Sequence, residues 1–389
     1  MISCGEPSGD LYAGALATEI LRIEPDAIIN GFGSDRLRAA GASLVGDFKG
    51  LSVTGLTEAL PVIRRSWQNY RALLRAADVT APDVFVPIDF PDFNFFPARA
   101  LHKRGIPVVY YISPQLWAWR RGRLKTMKRI ADRVLVIFPF EAPLYEAAGV
   151  PVTFVGHPLL ELTPPPGPRE PFLRSLGLDA RRPVVALLPG SRRNELREIL
   201  PDLVRTAAAI ASRVPDVQFI VARAPHLDDG LLAPLVAWPS GVSRPAVVEG
   251  QTDDVLAAAD VAIVASGTVT VQAALHGCPM VVVYRVGPIT YSLGKPLLHV
   301  DTYAMVNLVA GSRVVPELIQ DGFTPERTAA AALQVLLDPV HASAVRAQLA
   351  AVRGKLGTTG ASRRAAEAVI ETGLRRKDHQ AARAIRTLS

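Results

Sequence analysis

Cysteine is almost missing from this 389-residue chain: Cys4 and Cys278 stand far apart and match no metal or redox spacing. A disulfide framework is excluded as the basis of the fold, and a reduced, cytosolic setting is expected. Histidine is sparse too. His102, His157, His226, His276, His299, His341 and His379 form no i,i+4 pair and no cluster with cysteine, which argues against a zinc site. No apolar run of about 18 residues occurs, so no spanning helix is expected. The opening MISCGEPSGD lacks a basic region followed by a long apolar stretch and does not read as a signal peptide. Internal repeats and low-complexity segments are absent, and the 32 prolines are scattered as loop punctuation.

What the chain does have is apolar mass. Hydrophobic residues make up 49% and charged residues only 20%, the balance of a packed globular protein. A chain of 389 residues is too long for one ordinary core, so two domains are expected. The formal charge of +7 favours acidic partners: phosphates, nucleic acid or an anionic membrane surface. Short apolar runs at residues 27–32, 84–88, 108–112, 134–138 and 152–155 alternate with helical patterns. The alternation restarts at 184–188, 217–222, 246–248, 261–264 and 280–284. Each series is the signature of a parallel sheet wrapped by helices. Between them, residues 162–169 (LTPPPGPR) read as a stiff connector. The expected division is therefore a first domain over 1–161, the linker, a second domain over 170–335 and a helical segment over 336–389.

Four stretches carry chemistry. In PIDFPDFNFF (residues 87–96), Asp89 and Asp92 follow a buried-strand pattern and open a helix. Acids there lie outside the carboxyl end of a parallel sheet, where ligands bind, although a mere helix cap accounts for them equally well. GEPSGD (residues 5–10) is a glycine-flanked turn into a helix, matching neither common phosphate-loop pattern. LLPGSRRNEL places Gly190, Ser191 and Arg192 between a strand and a helix, a grip suited to an anion. ASGTVTVQAALHG does the same with Ser266, Gly267 and Thr268, and Gln272 lies one turn on from Thr268. Either of these last two loops alone could be a helix cap; two in one half favour a nucleotide site.

Two further segments are amphipathic or basic. Leu56, Leu60, Ile63, Trp67, Tyr70 and Leu74 follow helical spacing among Arg64, Arg65, Arg71 and Arg75. This suits a helix lying on a membrane or an ordinary surface helix with its stripe on the core. Trp117 and Trp119 precede Arg120, Arg121, Arg123, Lys125, Lys128 and Arg129, fitting nucleobase stacking, a bilayer interface or a solvated basic helix. The tail from Arg363 to Arg386 reads as a solvated helical face, with at most a minor role at an interface.

Seven motifs in register, GEPSGD, PDVFVPIDFPDFN, SPQLWAWR, FPFE, GHP, LLPGSRRNE and ASGT, resemble the lipid-A-disaccharide synthase family from Gly5 to about Gly311. The resemblance implies a GT-B fold, an α/β architecture of two Rossmann-like domains with a cleft between them. It implies inverting transfer of 2,3-diacylglucosamine from UDP-2,3-diacylglucosamine to 2,3-diacylglucosamine 1-phosphate, with no cofactor and no metal. Asp89 matches the family's proposed base, with Asp92 second. Arg192 joins them in the catalytic set. Gly190, Ser191, Arg192, Glu195, Ser266, Gly267, Thr268, Gln272 and Asn307 match its UDP-sugar site. Glu6, Ser8, Asp10 and Asn94 match loops on the acceptor side. The implied setting is peripheral, at the cytoplasmic face of the inner membrane, with no nucleic acid and with a homodimer suggested by relatives.

The chain departs from the family pattern at Gln272, where relatives carry glutamate, at Val306 before Asn307, where they carry proline, and in its short first strand. The rival readings are another UDP-sugar GT-B enzyme, either a lipid-linked GlcNAc transferase or a UDP-GlcNAc 2-epimerase, and a non-catalytic binder of a UDP-sugar or an anionic lipid.

Overall fold

Runs rich in valine, isoleucine and leucine form strands buried on both faces. β8 (Val184–Leu188) and β11 (Val261–Ala265) are buried at every position, the pattern of a parallel sheet covered by helices on each side. The computed structural model describes residues 1–48, 59–114, 122–225, 227–285 and 302–388.

The first sheet comprises β1 (Ile2–Cys4), β2 (Asn30–Gly33), β3 (Ser43–Asp47), β4 (Val86–Ile88), β5 (Val109–Tyr111), β6 (Arg133–Val136) and β7 (Val152–Phe154). Its order is β3-β2-β1-β4-β5-β6-β7, and the paired strands run parallel. The second comprises β8, β9 (Gln218–Arg223), β10 (Ala246–Glu249), β11, β12 (Met280–Tyr284) and β13 (Glu317–Ile319), in the order β10-β9-β8-β11-β12-β13, again parallel. Each is the doubly wound arrangement. The winding direction reverses between β1 and β4 in one sheet and between β8 and β11 in the other, and the crevice beyond the strand ends there is where such folds take ligands.

The short edge strands β3 and β13 have no counterpart among the apolar runs of the sequence. SLVGD and ELI are too short and polar to announce themselves, and pairing with a neighbour makes them strands.

By packing, the chain divides into one unit of residues 1–162 with 356–389 and another of residues 163–355. The last helix, Ala361–Leu388, thus belongs to the first unit, where it packs on the helix Pro7–Ile23. Glu161 caps it, accepting from the main-chain nitrogens of Gly360 and, at 2.8 Å, Ser362. The expected solvated basic face holds for Arg363 and Arg375 and is corrected at Arg364 and Arg376, while the side chains of residues 377–389 lie outside the described ones. Ala365, Ala366 and Val369 are buried, and Arg364 donates to the carbonyls of Val155, Thr358 and Thr359 at 2.8 Å each. Arg376 donates to the Pro82 carbonyl. The exposed Arg363 and Arg375 pair along the helix with Glu367 and Glu371.

The amphipathic segment forms the helix Ala59–Thr80. Its second half turns Leu73 and Ala77 into the core, whereas Ile63 and Trp67 stay 63% and 54% exposed. Leu56, Trp117, Trp119, Arg120 and Arg121 lie outside the described residues.

Candidate active site

In the first unit the site begins where β4 ends. Asp89 and the residue after it, Phe90, both adopt left-handed backbone angles, φ +42° and +49°. For residues with a Cβ this costs about 1–3 kcal/mol each, and it persists only when surrounding bonds over-determine it. They do. The Asp89 nitrogen donates to the Tyr111 and Ile112 carbonyls at 3.2 Å, and its own carbonyl accepts from Tyr110 Oη at 2.8 Å and from Asn94 Nδ2 at 2.9 Å. Asn94 is fully buried and ties the two strands flanking the reversal together. Its amide donates to the carbonyls of Ser3 and Ile88 at 3.2 Å, and its oxygen accepts from Ser3 Oγ at 2.6 Å.

The left-handed turn throws the Phe90 ring against Gly5, where a Cβ would overlap it. GEPSGD is thereby seated beside the acidic turn, as expected of loops after β1 and β4. Glu6 and Ser8 are half-buried there. Asp10 is spent inside the fold: its carboxylate accepts from the main-chain nitrogens of Ser34 at 2.7 Å and Arg36 at 2.8 Å, at the start of the helix Asp35–Ala39. Asp89 is half-buried and Asp92, in the first turn of the helix Pro91–Lys103, is exposed.

Two aromatic neighbours were not foreseen. Tyr12 is buried, and its phenol is held above the ordinary value first by that burial and then by the charge of Asp89. Tyr110 anchors the Asp89 carbonyl. His157, of the GHP motif, packs edge-on against Tyr12 and beside Phe138. Its Nδ1 accepts from the Leu159 nitrogen at 3.2 Å, and burial lowers its pKa to about 3, so the ring is neutral.

In the second unit both glycine loops follow the strands that flank the reversal. After β8, Gly190 has φ +122°, and a Cβ there would overlap Glu195. Glu195 Oε2 accepts from the nitrogens of Ser191 at 2.8 Å and Arg192 at 3.1 Å. The main-chain nitrogens at this helix start are therefore held by the chain's own carboxylate. What the loop presents outward is the exposed Ser191 and the Arg192 side chain, 48% exposed and 3.7 Å from Glu195 Oε1.

After β11 the loop is open. Among the described residues nothing lies within 4 Å of where a Cβ on Gly267 would sit, and Thr268 is exposed. The Ser266 nitrogen pairs with the Val283 carbonyl at 3.0 Å, and Thr270 Oγ1 holds the Gly267 carbonyl at 2.8 Å. Gln272 follows on the helix Val269–Leu275, its amide nitrogen 3.3 Å from Asp253 Oδ1. Asn307 is buried with every bonding position engaged. Its nitrogen donates to the Val315 carbonyl at 2.8 Å and Glu317 Oε1 at 2.6 Å, and its oxygen accepts from the nitrogens of Val314 and Val315 at 2.8 and 3.0 Å. It stitches the helix Met305–Ala310 to the approach of β13, so direct contact with a ligand would break one of these bonds. Among the described residues no cluster of three or more His, Cys, Asp or Glu forms a metal site.

The family model for lipid-A-disaccharide synthetase matches residues 1–369. The lipid-A-disaccharide synthase of Geobacter sulfurreducens is 46% identical over 374 residues, covering 95% of this chain and 96% of that protein. That of Myxococcus xanthus is 44% identical over 371 residues, covering 95% and 96%. Among solved structures, the UDP-GlcNAc 2-epimerase from Neisseria meningitidis bound to UDP-GlcNAc superposes with a TM-score of 0.65 at 14% identity, covering 95% of this chain and 98% of that one. The calicheamicin glycosyltransferase CalG4 gives 0.57 at 18% identity, covering 95% and 96%. These likenesses show the GT-B type of fold, two Rossmann-like α/β units. With near full-length matches at this identity and the motif loops at both sheet reversals, the chain belongs to the lipid-A-disaccharide synthase family.

Proposed function

We propose that this protein transfers 2,3-diacylglucosamine from UDP-2,3-diacylglucosamine to 2,3-diacylglucosamine 1-phosphate, giving the β-1,6-linked disaccharide 1-phosphate and UDP with inversion. The observation that carries this reading is the doubly held, left-handed turn at Asp89, beside the sheet reversal of the first unit. Strain retained by buried hydrogen bonds is what pre-organisation of a reacting group requires.

The acceptor's primary hydroxyl is a weak nucleophile. Asp89 takes its proton as the oxygen bonds to the anomeric carbon and the bond to UDP breaks. Asp92 is the second choice. Negative charge then builds on the leaving diphosphate, where Arg192, the hydroxyls of Ser191, Ser266 and Thr268 and the main-chain nitrogen of Gly267 stabilise it. Glu195 holds the loop that carries Arg192, and Gln272 accepts from the ribose. Asn307 acts through the segment it fixes. Glu6 and Ser8 border the acceptor.

Both substrates carry acyl chains, so the enzyme works at a membrane surface. Among the described residues no helix is long and apolar enough to cross one. Ile63 and Trp67, exposed beside Arg64, Arg65 and Arg71, supply the apolar and cationic contacts of peripheral docking on the anionic cytoplasmic face.

The test is turnover of the two substrates in detergent with EDTA. Wild type should form disaccharide, and Asp89→Asn should lose about 10²- to 10⁴-fold in kcat while keeping UDP binding. A folded wild type that binds UDP and forms no disaccharide overturns the reading.

A further inference from the structure

Asp253 opens the helix Thr252–Ala258, and His276 directly follows the helix Val269–Leu275 that carries Gln272. The three side chains meet at one oxygen. Asp253 Oδ1 lies 3.3 Å from Gln272 Nε2 and 2.9 Å from His276 Nε2. The His276 side chain is only 3% exposed and that of Asp253 21%.

This contact decides an orientation. An ionised carboxylate offers only acceptors, so Gln272 must turn its amide nitrogen, and His276 an N–H, toward Asp253. Because the amide is planar, its oxygen is then directed away from Asp253. Among the described residues that oxygen has no partner, and Gln272 as a whole is half-buried. Gln272 stands one helical turn beyond Thr268, so a defined acceptor is carried on the helix that follows the glycine loop. Glutamate at this position would set a second carboxylate against Asp253, and two like charges at hydrogen-bond distance cannot both stay ionised at low cost.

We infer that Asp253, braced by His276, is a positioning residue that fixes the amide of Gln272 so that its oxygen accepts from a hydroxyl of the bound nucleotide. This rests on the nucleotide reading of the loop after β11. Asp253 also selects glutamine over glutamate at 272, which makes the two positions a coupled pair.

The experiment measures UDP affinity by calorimetry, with KM for the sugar nucleotide and kcat, for five proteins: wild type, Gln272→Ala, Gln272→Glu, Asp253→Ala and the double variant Gln272→Glu/Asp253→Asn. Losing one hydrogen bond should weaken UDP binding about 3- to 10-fold in Gln272→Ala and Asp253→Ala, raising KM with little change in kcat. Gln272→Glu should weaken it at least as much. The double variant should recover to within about 3-fold of wild type, because the asparagine amide at position 253 then donates to the carboxylate at position 272, as the geometry demands. No UDP binding by a folded wild type overturns the nucleotide reading and this inference with it, whereas wild-type binding left unchanged in Gln272→Ala overturns this inference alone. A loss in Gln272→Ala with no loss in Asp253→Ala, or with no recovery in the double variant, overturns the positioning role alone. Thermal unfolding of each variant separates lost affinity from lost fold, since a purely structural role for Asp253 would lower Tm without the recovery.

Discussion

The side-chain amide of Asn94 donates to the main-chain carbonyl of Asp89 at 2.9 Å, holding the left-handed turn on which the acid is carried. Asn94→Ala removes that donor and leaves the Ser3 and Ile88 carbonyls short of a partner. We expect a stability loss of about 1–3 kcal/mol and a fall in kcat of at least about 10-fold, with UDP affinity unchanged. Urea unfolding, turnover and calorimetry check the three. Full kcat in the variant would separate the turn from the chemistry.

Gly190 sits at φ +122° against Glu195. Gly190→Ala is both strained and overlapped, so the loop must shift and carry Ser191 and Arg192 with it. UDP affinity, read by calorimetry, should drop about 10-fold or more, while urea unfolding shows a stability change of only about 1–2 kcal/mol.

His157 gives a pH dependence of known sign. Burial lowers its pKa from 6.5 to about 3, so between these values the unfolded chain binds a proton that the folded chain does not. Its contribution is fully present above about pH 6.5 and is lost as pH falls toward 3, at about 1.4 kcal/mol per pH unit. Urea unfolding of wild type and His157→Leu at pH 7, 6 and 5 should show the variant's disadvantage shrinking by that slope below pH 6.5. Parallel curves would mean that His157 keeps an ordinary pKa.

Trp67 stacks on Tyr70 at 5.2 Å, with the Arg71 guanidinium 5.2 Å from its ring centre, an amphipathic cluster on an exposed helix face. The double variant Ile63→Asp/Trp67→Asp should keep its Tm and its turnover of detergent-dispersed substrates while losing most of its sedimentation with anionic liposomes. Retained sedimentation would remove this helix from the docking surface.

Legibility in the sequence followed range. Apolar runs and glycine turns are local signals, so most strands and all the loops now found at the two sheet reversals could be read from the residues in order. β3 and β13 escaped because three to five half-buried residues carry no period. Tyr12, Tyr110 and Asp253 escaped because nothing beside them in the chain marks them; each matters through a residue far away in sequence.

The sequence by itself determined two alternating βα series, the place of the acidic and glycine-rich loops at strand ends, and the membership of a family whose motifs appear in order. Only the tertiary structure decided how each polar group is spent. Asp10, Glu195 and Asn307 carry the residue types of a binding site, yet they bond main-chain groups of their own fold. Asp89 is placed by bonds to its backbone, and Gln272 is turned by a carboxylate 19 positions earlier. The physical reason is that a hydrogen bond depends on distance and direction to a partner, and those are set when the sheets close, after local propensity has had its say.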